Sequence, residues 1–525
     1  VGVFSEKIHR NIYSLGLLLL ACALPVSVFL MSVAQFVLII NWVLEGNVPQ
    51  KLRNYMRNKT ALIFSLIFFL HIFGLIYTSD FNYALKDIKT KIPLLLLPLV
   101  VSTSVPLMKF EWERIRFFFI ASVFVATVIS TVYLKFFEFN DIRQISLFIS
   151  HIRFSLLIVI AIILLFDYIF KSFISIRGMT YVAGVILMWL VFFLFLSESV
   201  TGLSIFFFLL LFFSLLWIIK APSVSLKLVS FVIFFTVAFF GFFYIYNTVK
   251  VHYKEITYDF SELKSHSPYG NPYYHDTTTV QSENGHLIWV YVCYPELEIA
   301  WEKHSNYSFY GEDDKGQYLP ATLISYMASK GLRKDFDGFK SMTDKDIRAV
   351  EKGIPNVSFF ERASIKKRIH QILYEYDVYK TTGDANGLSV MMRIEFAKAA
   401  LGIIKKNFVF GVGTGDVNIA FKKRYEEMNS LLEPHFRWRA HNQYLSIFVA
   451  FGLLGFLVFI LALVYPGIKQ KRFTDYRYLA FFIVVVLSML TEDTLETQAG
   501  VTFFSFFSVL FLLAFGDKTE NKDVN

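Results

Sequence analysis

The chain has 525 residues, 55% of them hydrophobic, 18% aromatic and 18% charged. Soluble domains are usually about 45–50% apolar and about 25% charged; here the apolar residues run in long blocks, which excludes an ordinary soluble domain and implies a polytopic α-helical membrane protein. The net charge of +9 does not point to nucleic acid, because many lysines and arginines lie in short loops between apolar runs, where they act as topology signals.

A membrane-spanning helix needs about 20 predominantly apolar residues. Twelve such runs follow in chain order, at 12–28, 30–45, 60–77, 92–108, 115–135, 152–170, 179–196, 201–219, 225–246, 442–467, 477–491 and 499–515. Lys7 and Arg10 precede the first run, which is expected as a retained helix in place of a cleaved signal peptide because many spans follow it. Loops holding Lys51, Arg53, Arg57 and Lys59, or Lys469, Lys471, Arg472 and Arg477, alternate with the acidic or neutral turns SESVTG and TEDTLETQ. The positive-inside rule then places both termini in the cytoplasm and the long polar segment on the far side. The expected organisation is nine spans in 1–246, a loop domain in 247–440, three spans in 441–516 and a cytoplasmic tail in 517–525.

The loop domain reads as mostly helical. HLIWVYVCY (286–294) has the composition of a strand. Thr343 followed by Asp346 has the form of a capping box. SIKKRIHQILYEYDVY and SVMMRIEFAKAALGIIKKN have the spacing of amphipathic helices. The two cysteines, Cys22 and Cys293, offer no metal-type spacing, and no disulfide is expected between them. There is no internal repeat.

Several residues have the chemistry of a site. His441 opens the run HNQYLSIFVAFGLLG, at the boundary between the polar segment and the membrane. Its imidazole can accept a proton near neutral pH, and Arg437 and Arg439 just upstream disfavour its charged form; the plain alternative is an interfacial histidine bonded locally. Arg153 opens the sixth span on the same side and either serves an anion or snorkels to the interface. Arg393, early in an amphipathic helix, is either a bidentate phosphate ligand or a solvated charge. Lys86, Lys89 and Lys91 sit in an outer turn against the positive-inside trend, which suits anionic lipid, phosphate or simple snorkelling. GVGTGD (411–416), with Gly411, Gly413 and Gly415, lacks the spacing of a P-loop and reads as a turn or, more boldly, as an anion-binding nest. DFD (335–337) and DKD (344–346) resemble metal-binding pairs, but the second fits a helix start and no metal is expected. Glu492, Asp493 and Glu496 cluster in the last outer turn, able to pair with the arginines or to meet substrate hydroxyls.

These residues carry a resemblance to the O-antigen ligase and polymerase superfamily. The family pattern is a histidine, then Asn, Ser or Gln, nine residues, a glycine, two residues and Gly, Thr or Tyr; here it reads His441, Asn442, Gly452 and Gly455. The order of parts is also similar: many spans, one large late loop, the histidine at its end, then a few spans. SHIRFSLL, RIEFAKAALGIIKKNFVFGVGTGD and the loop segments ENGHLIWVYV and YMASKGLRKDFDGF resemble versions in Bacteroidetes-type members. The resemblance implies a GT-C-like membrane fold and an inverting, metal-independent glycosyltransferase in the bacterial inner membrane. Such enzymes take a glycan from undecaprenyl diphosphate on the periplasmic side and pass it to an acceptor hydroxyl, typically on lipid A–core. By the same resemblance His441 is the catalytic base, and Arg153 and Arg393 hold the diphosphate. Lys91, Arg437 and Arg439 join the donor site by position and charge, with Asn442, Gly411, Gly413, Gly415 and Glu492 in support. The chain departs from the family at SESVTGL, where relatives often have Ser-Arg-Thr-Gly and Glu198 stands in place of an arginine.

The residues themselves agree with this chemistry. A lipid-linked diphosphate is anionic at the depth of these cations, which would also stabilise charge developing on the leaving group. A loop domain over the site would exclude water from a hydrolysable donor. The expected partners are the donor, a hydroxyl acceptor and membrane lipids, with no cofactor and no nucleic acid. A polymerase or a protein-glycosylating relative shares the donor chemistry and differs only in the acceptor. A lipid-linked glycan transporter would more often show repeated halves, and a scaffold would not require His441, Arg153 and Arg393 to converge.

Overall fold

The computed structural model describes residues 2–137, 142–172, 177–220, 223–253, 260–278, 281–357 and 365–515. It divides into two compact units, one of Val1–Leu216 with Gly383–Asn525 and one of Trp217–Thr382. Residues 383–440, at the end of the expected loop domain, thus belong to the first unit. The tail expected at 517–525 lies outside the described residues.

The fold is all-α. In chain order the first unit begins with α1 (Glu6–Ala23), α2 (Val28–Leu44), α3 (Val48–Arg57), α4 (Lys59–Phe73), α5 (Phe81–Lys91), α6 (Pro93–Thr103), α7 (Lys109–Phe136), α8 (His151–Ser172), α9 (Arg177–Leu196) and α10 (Val200–Lys220). The second unit holds α11 (Val224–His252), a two-residue hairpin of β1 (Ser282–Glu283) and β2 (His286–Leu287), then α12 (Tyr294–Glu302), α13 (Leu319–Ser329), α14 (Phe336–Lys340), α15 (Asp344–Glu351) and α16 (Ile365–Thr382). The chain returns to the first unit with α17 (Ser389–Lys406), α18 (Val417–Glu427), α19 (Gln443–Lys469), α20 (Tyr476–Thr491) and α21 (Gln498–Leu512).

The sequence predicts twelve spans, and every run finds a helix. Among the described residues seven helices are long and apolar enough to cross a membrane, or eight if α2 and α3, bent by 112°, make one broken span. The difference has local causes. The first helix opens with Glu6, Lys7 and Arg10, and α6 has only 11 residues. The last two helices have 16 and 15 residues. In α21 every residue from Gly500 to Leu512 is buried, so its all-round apolar surface faces protein, as in a central core helix. Packed around it are α6, α2 and α20. Polar side chains fasten the interior where lipid offers no hydrophobic drive between helices: Gln35 of α2 donates to Thr502 of α21 at 3.2 Å. At one end of α8, Asp167 accepts Arg116 of α7 at 3.0 Å and the Tyr476 hydroxyl of α20. Arg153 lies at the other end, about 21 Å away at 1.5 Å per residue.

The second unit has its own core, built on Trp301, Phe309, Leu323, Tyr326 and Met327. The expected strand at 286–294 is not formed beyond His286–Leu287. The chain bends there, makes isolated bridges at Val292 with Tyr274 and with Lys334, and enters α12 at Tyr294; the apolar run is spent on core packing, not on a ladder. The capping box forms, with Thr343 and Asp346 closing the start of α15. The aspartates of DFD and DKD serve helix starts and ion pairs: Asp335 caps α14 and accepts the Tyr273 hydroxyl, and Asp346 pairs with Lys330 at 2.7 Å.

One break in the first unit positions the site. Gly452 interrupts α19 with φ +62°, and the segment before α18 lies in the gap. Val412 and Gly413 donate to the Val449 and Ala450 carbonyls at 3.0 and 2.8 Å, and Leu453 donates to the Phe408 carbonyl at 2.7 Å. Irregular backbone is tolerated at membrane depth only when protein satisfies it, and here the 408–413 segment does so. A Cβ at Gly411 would overlap the Ala450 carbonyl, and one at Gly452 the Val409 carbonyl. Gly452→Ala is therefore expected to destabilise the protein by about 2 kcal/mol or more, combining the left-handed penalty with a clash. Gly184→Ala on α9, where an added Cβ meets nothing within 4 Å, is expected to be neutral or stabilising by up to about 1 kcal/mol. Thermal unfolding of the two variants checks this; equal midpoints would contradict it.

Candidate functional site

The site rests on Glu496, in the turn between α20 and α21. Its carboxylate is buried and accepts Lys91 at 3.0 Å, Arg439 at 3.2 Å and the Gln443 side chain at 3.2 Å. Lys91, fully enclosed, also pairs with Asp87 at 2.9 Å, and Arg439 donates to the Tyr83 hydroxyl at 2.9 Å. Two cations and two carboxylates thus balance in one cluster. Burial alone would raise the pKa of Glu496, but Lys91 and Arg439 override it and hold the carboxyl well below the usual range. The cluster ties α5, the chain before α19 and the last turn together, and so fixes where residues 437–442 run.

His441 follows directly. Its backbone is left-handed, with φ +46°, a conformation that costs a non-glycine residue roughly 1–2 kcal/mol. Asn442 holds the bend: its side chain caps α19 by accepting from Leu445 N at 3.0 Å and donates to the Leu490 carbonyl at 2.8 Å. The imidazole is flanked by Phe396 of α17 and by Trp438, with ring centroids at 5.5 and 5.4 Å. Among the described residues its ring nitrogens make no hydrogen bond. Burial first, then Arg393, Arg439 and Arg153, push its pKa down to about 4. The ring is neutral at neutral pH and able to accept a proton.

Around it lies a cavity of about 760 Å³. Arg153 of α8, the 437–441 segment and the carboxylates of Glu492, Asp493 and Glu496 form part of its wall. Asn418, Phe421, Lys422 and Glu426 form another part, on one face of α18. Arg393 reaches the same turn through Glu492, at 3.0 Å. Arg153 bonds Ser150 through one terminal nitrogen at 2.7 Å, while its buried Nε has no partner. Burial raises the pKa of both Glu492 and Asp493, against the arginines.

The structure brings His441, Arg153, Arg393, Arg439, Asn442 and Glu492 together. It sets others apart. Lys91 is sealed beneath the cavity in its ion pairs. Arg437 lines the cavity, but donates to the Leu432 and Ser430 carbonyls at 2.7 and 3.3 Å. The 411–415 loop is not a nest: the amides of Gly411, Val412 and Gly413 donate to backbone carbonyls, and Gly415 N donates to Thr78 Oγ1 at 2.6 Å. Asp416 locks the loop by accepting Ser79 N and Asp80 N at 2.9 Å. Sequence reasoning missed the roles of Asp87, Tyr83, Phe396, Trp438 and Lys422. Two carried a signal: Asp87, four residues before Lys91 on one helix, and Trp438, as an aromatic set between Arg437 and Arg439. Among the described residues no group of three His, Cys, Asp or Glu side chains has the geometry to hold a metal ion.

Glu496→Gln leaves the Lys91 and Arg439 charges under-compensated and is expected to cost about 3–5 kcal/mol. Glu492→Gln, whose partner Arg393 is 40% exposed, is expected to cost much less. Denaturant or thermal unfolding separates the two; a loss at Glu496 no larger than that at Glu492 would contradict the assignment of Glu496 as the anchor.

Residues 356–460 match the family model described as O-antigen ligase. The matched segment contains Arg393, α18, Arg437, Arg439 and His441, and the glycine at which α19 breaks; Arg153 and the 492–497 turn lie outside it. No curated protein matches the chain. This is a multi-pass α-helical membrane protein that carries, at residues 356–460, a segment similar to the O-antigen ligase family.

Proposed function

We propose that the protein is a glycosyltransferase that moves a glycan from undecaprenyl diphosphate to an acceptor hydroxyl, on lipid A–core, at the periplasmic face of the inner membrane. The observation that carries this reading is a neutral, half-buried His441 that shares one cavity with Arg153, with Arg393 joined to the cavity wall through Glu492, and that lies in a segment matched as O-antigen ligase. In the proposed reaction the acceptor hydroxyl attacks C1 of the donor sugar and the C1–O bond to the diphosphate breaks. The hydroxyl proton passes to His441, and the undecaprenyl diphosphate leaves with its electron pair. General-base help of this kind is typically worth about 10²–10⁴-fold. Arg153 and Arg393 hold the diphosphate and stabilise its growing charge from fixed positions. Arg393 exchanges Glu492 for the phosphate. The reading requires no metal, since guanidinium groups meet the leaving charge. The enclosing rings of Phe396 and Trp438 limit the access of water to the base.

The test is transfer by the purified protein from an undecaprenyl-diphosphate glycan to lipid A–core without added metal. Wild-type transfer is expected, with His441→Ala reduced by about 10²-fold or more. Elongation of the lipid-linked glycan in place of transfer to core would make the protein a polymerase, and glycan on a protein hydroxyl would make it a protein glycosyltransferase. Unchanged activity in His441→Ala would overturn the assignment of the base.

The pH profile follows from the same geometry. The base must be deprotonated, and in the free protein burial and the arginines hold its pKa near 4. Activity is expected to persist from neutral pH downwards and to fall as pH drops through that value. A bound diphosphate offsets Arg393, Arg439 and Arg153, so it raises the pKa of His441. The acid limb of kcat, which reports the bound complex, is therefore expected at higher pH than that of kcat/KM for the donor. The reverse order would contradict the arginines' role at the diphosphate.

A further inference from the structure

The α18 wall of the cavity is not used by the transfer chemistry, yet it carries the features of a second binding surface. Lys422 is exposed into the cavity, and among the described residues its ammonium has no ion-pair or hydrogen-bond partner. Of the nearby cations, Lys406 and Arg424 both pair with Glu427, at 2.6 and 3.4 Å, and Lys423 is not part of the cavity lining. Trp438, 53% exposed, lines the same cavity as Lys422. Its indole nitrogen is already engaged by the His435 carbonyl at 2.8 Å, and its backbone carbonyl accepts the buried Tyr425 hydroxyl of α18 at 2.8 Å. The polar edge of the ring is thus satisfied and its position is set, so what it offers a ligand is an apolar face. A fixed aromatic face with a few placed polar groups is the usual build of a small-molecule site. A pyranose ring has an apolar face and hydroxyls at its edge, which suits Trp438 with Asn418, and Lys422 adds a charge-assisted contact.

We propose that Trp438 and Lys422 form an acceptor subsite, in which Trp438 carries a sugar ring and Lys422 binds an anionic substituent, phosphate or carboxylate, on it. This rests on the transferase reading for the word acceptor, but the binding itself does not. The subsite lies next to His441 through Trp438, while the arginines Arg153 and Arg393 serve the donor. An acceptor held there presents its hydroxyl beside the base.

The experiment is equilibrium binding to the purified full-length protein, with three probes: a phosphorylated lipopolysaccharide core oligosaccharide, the same oligosaccharide after phosphatase treatment with its carboxylates intact, and a neutral oligosaccharide. Wild type is expected to prefer the phosphorylated core over the neutral probe by about tenfold or more, as one charge-assisted contact allows. Lys422→Gln is expected to lose that preference and Lys422→Arg to keep it. Trp438→Ala is expected to weaken all three probes, with Trp438→Phe close to wild type. A preference that survives phosphatase treatment assigns carboxylate as the group read, and one that vanishes assigns phosphate. A Lys422→Gln protein with undiminished preference would overturn the subsite. Binding without any transfer product would defeat the transferase reading while the subsite stands; transfer with undiminished preference in Lys422→Gln would do the opposite.

Discussion

A buried carboxylate is the constraint on which the rest of this site depends. Glu496 sits where an unpaired charge would be prohibitive, and it is tolerable only because Lys91, Arg439 and Gln443 converge on it from two separate stretches of chain. That requirement fixes α5 against the last turn and holds the 437–442 segment in the wall of the cavity. The strained backbone of His441, the cap at Asn442 and the break in α19 at Gly452 all lie on the stretch so fixed. The imidazole is thereby presented by a rigid frame and not by a mobile loop.

The same cluster sorts the cations. Lys91 and Arg439 are matched by Asp87 and Glu496, and Arg437 is largely spent on backbone carbonyls. Arg393 faces a single carboxylate, itself pushed towards its protonated form by burial, and Arg153 keeps a buried guanidinium nitrogen without a partner. The capacity to receive an anion therefore falls on Arg153 and Arg393. Lys422 adds a separate positive charge on the α18 wall. Charge at this cavity is common, but uncompensated charge is local, and it lies beside the neutral imidazole.

Much of this was legible in the chain. Long apolar runs gave the helical membrane class, and the helix at 389–406 and the capping box at Thr343 form as their spacing implies. The histidine at the start of an apolar run marked the site, because few local patterns put an ionisable ring there. Twelve apolar runs yield seven or eight helices long and apolar enough to cross a membrane among the described residues, since hydropathy does not reveal how long a helix each run forms, as the short α6, α20 and α21 illustrate. The fate of each cation was not legible. Lys91 is neutralised by a carboxylate 405 residues away, and no local pattern reveals such a partner. The glycines of 411–415 read as a turn or an anion nest, since glycine permits both; they are there because the loop must press against the α19 backbone and the 78–80 turn.

The central claim is that a lipid-linked diphosphate lies between Arg153 and Arg393 with its sugar facing His441. A structure of the protein in lipid nanodiscs, loaded with an undecaprenyl-diphosphate glycan, tests it most directly. The account predicts phosphate oxygens within hydrogen-bond distance of both guanidinium groups, the Arg393–Glu492 pair opened, and the first sugar beside the imidazole. Diphosphate density at the opposite end of α8, by Arg116 and Arg477, with the His441 cavity unoccupied, would contradict it.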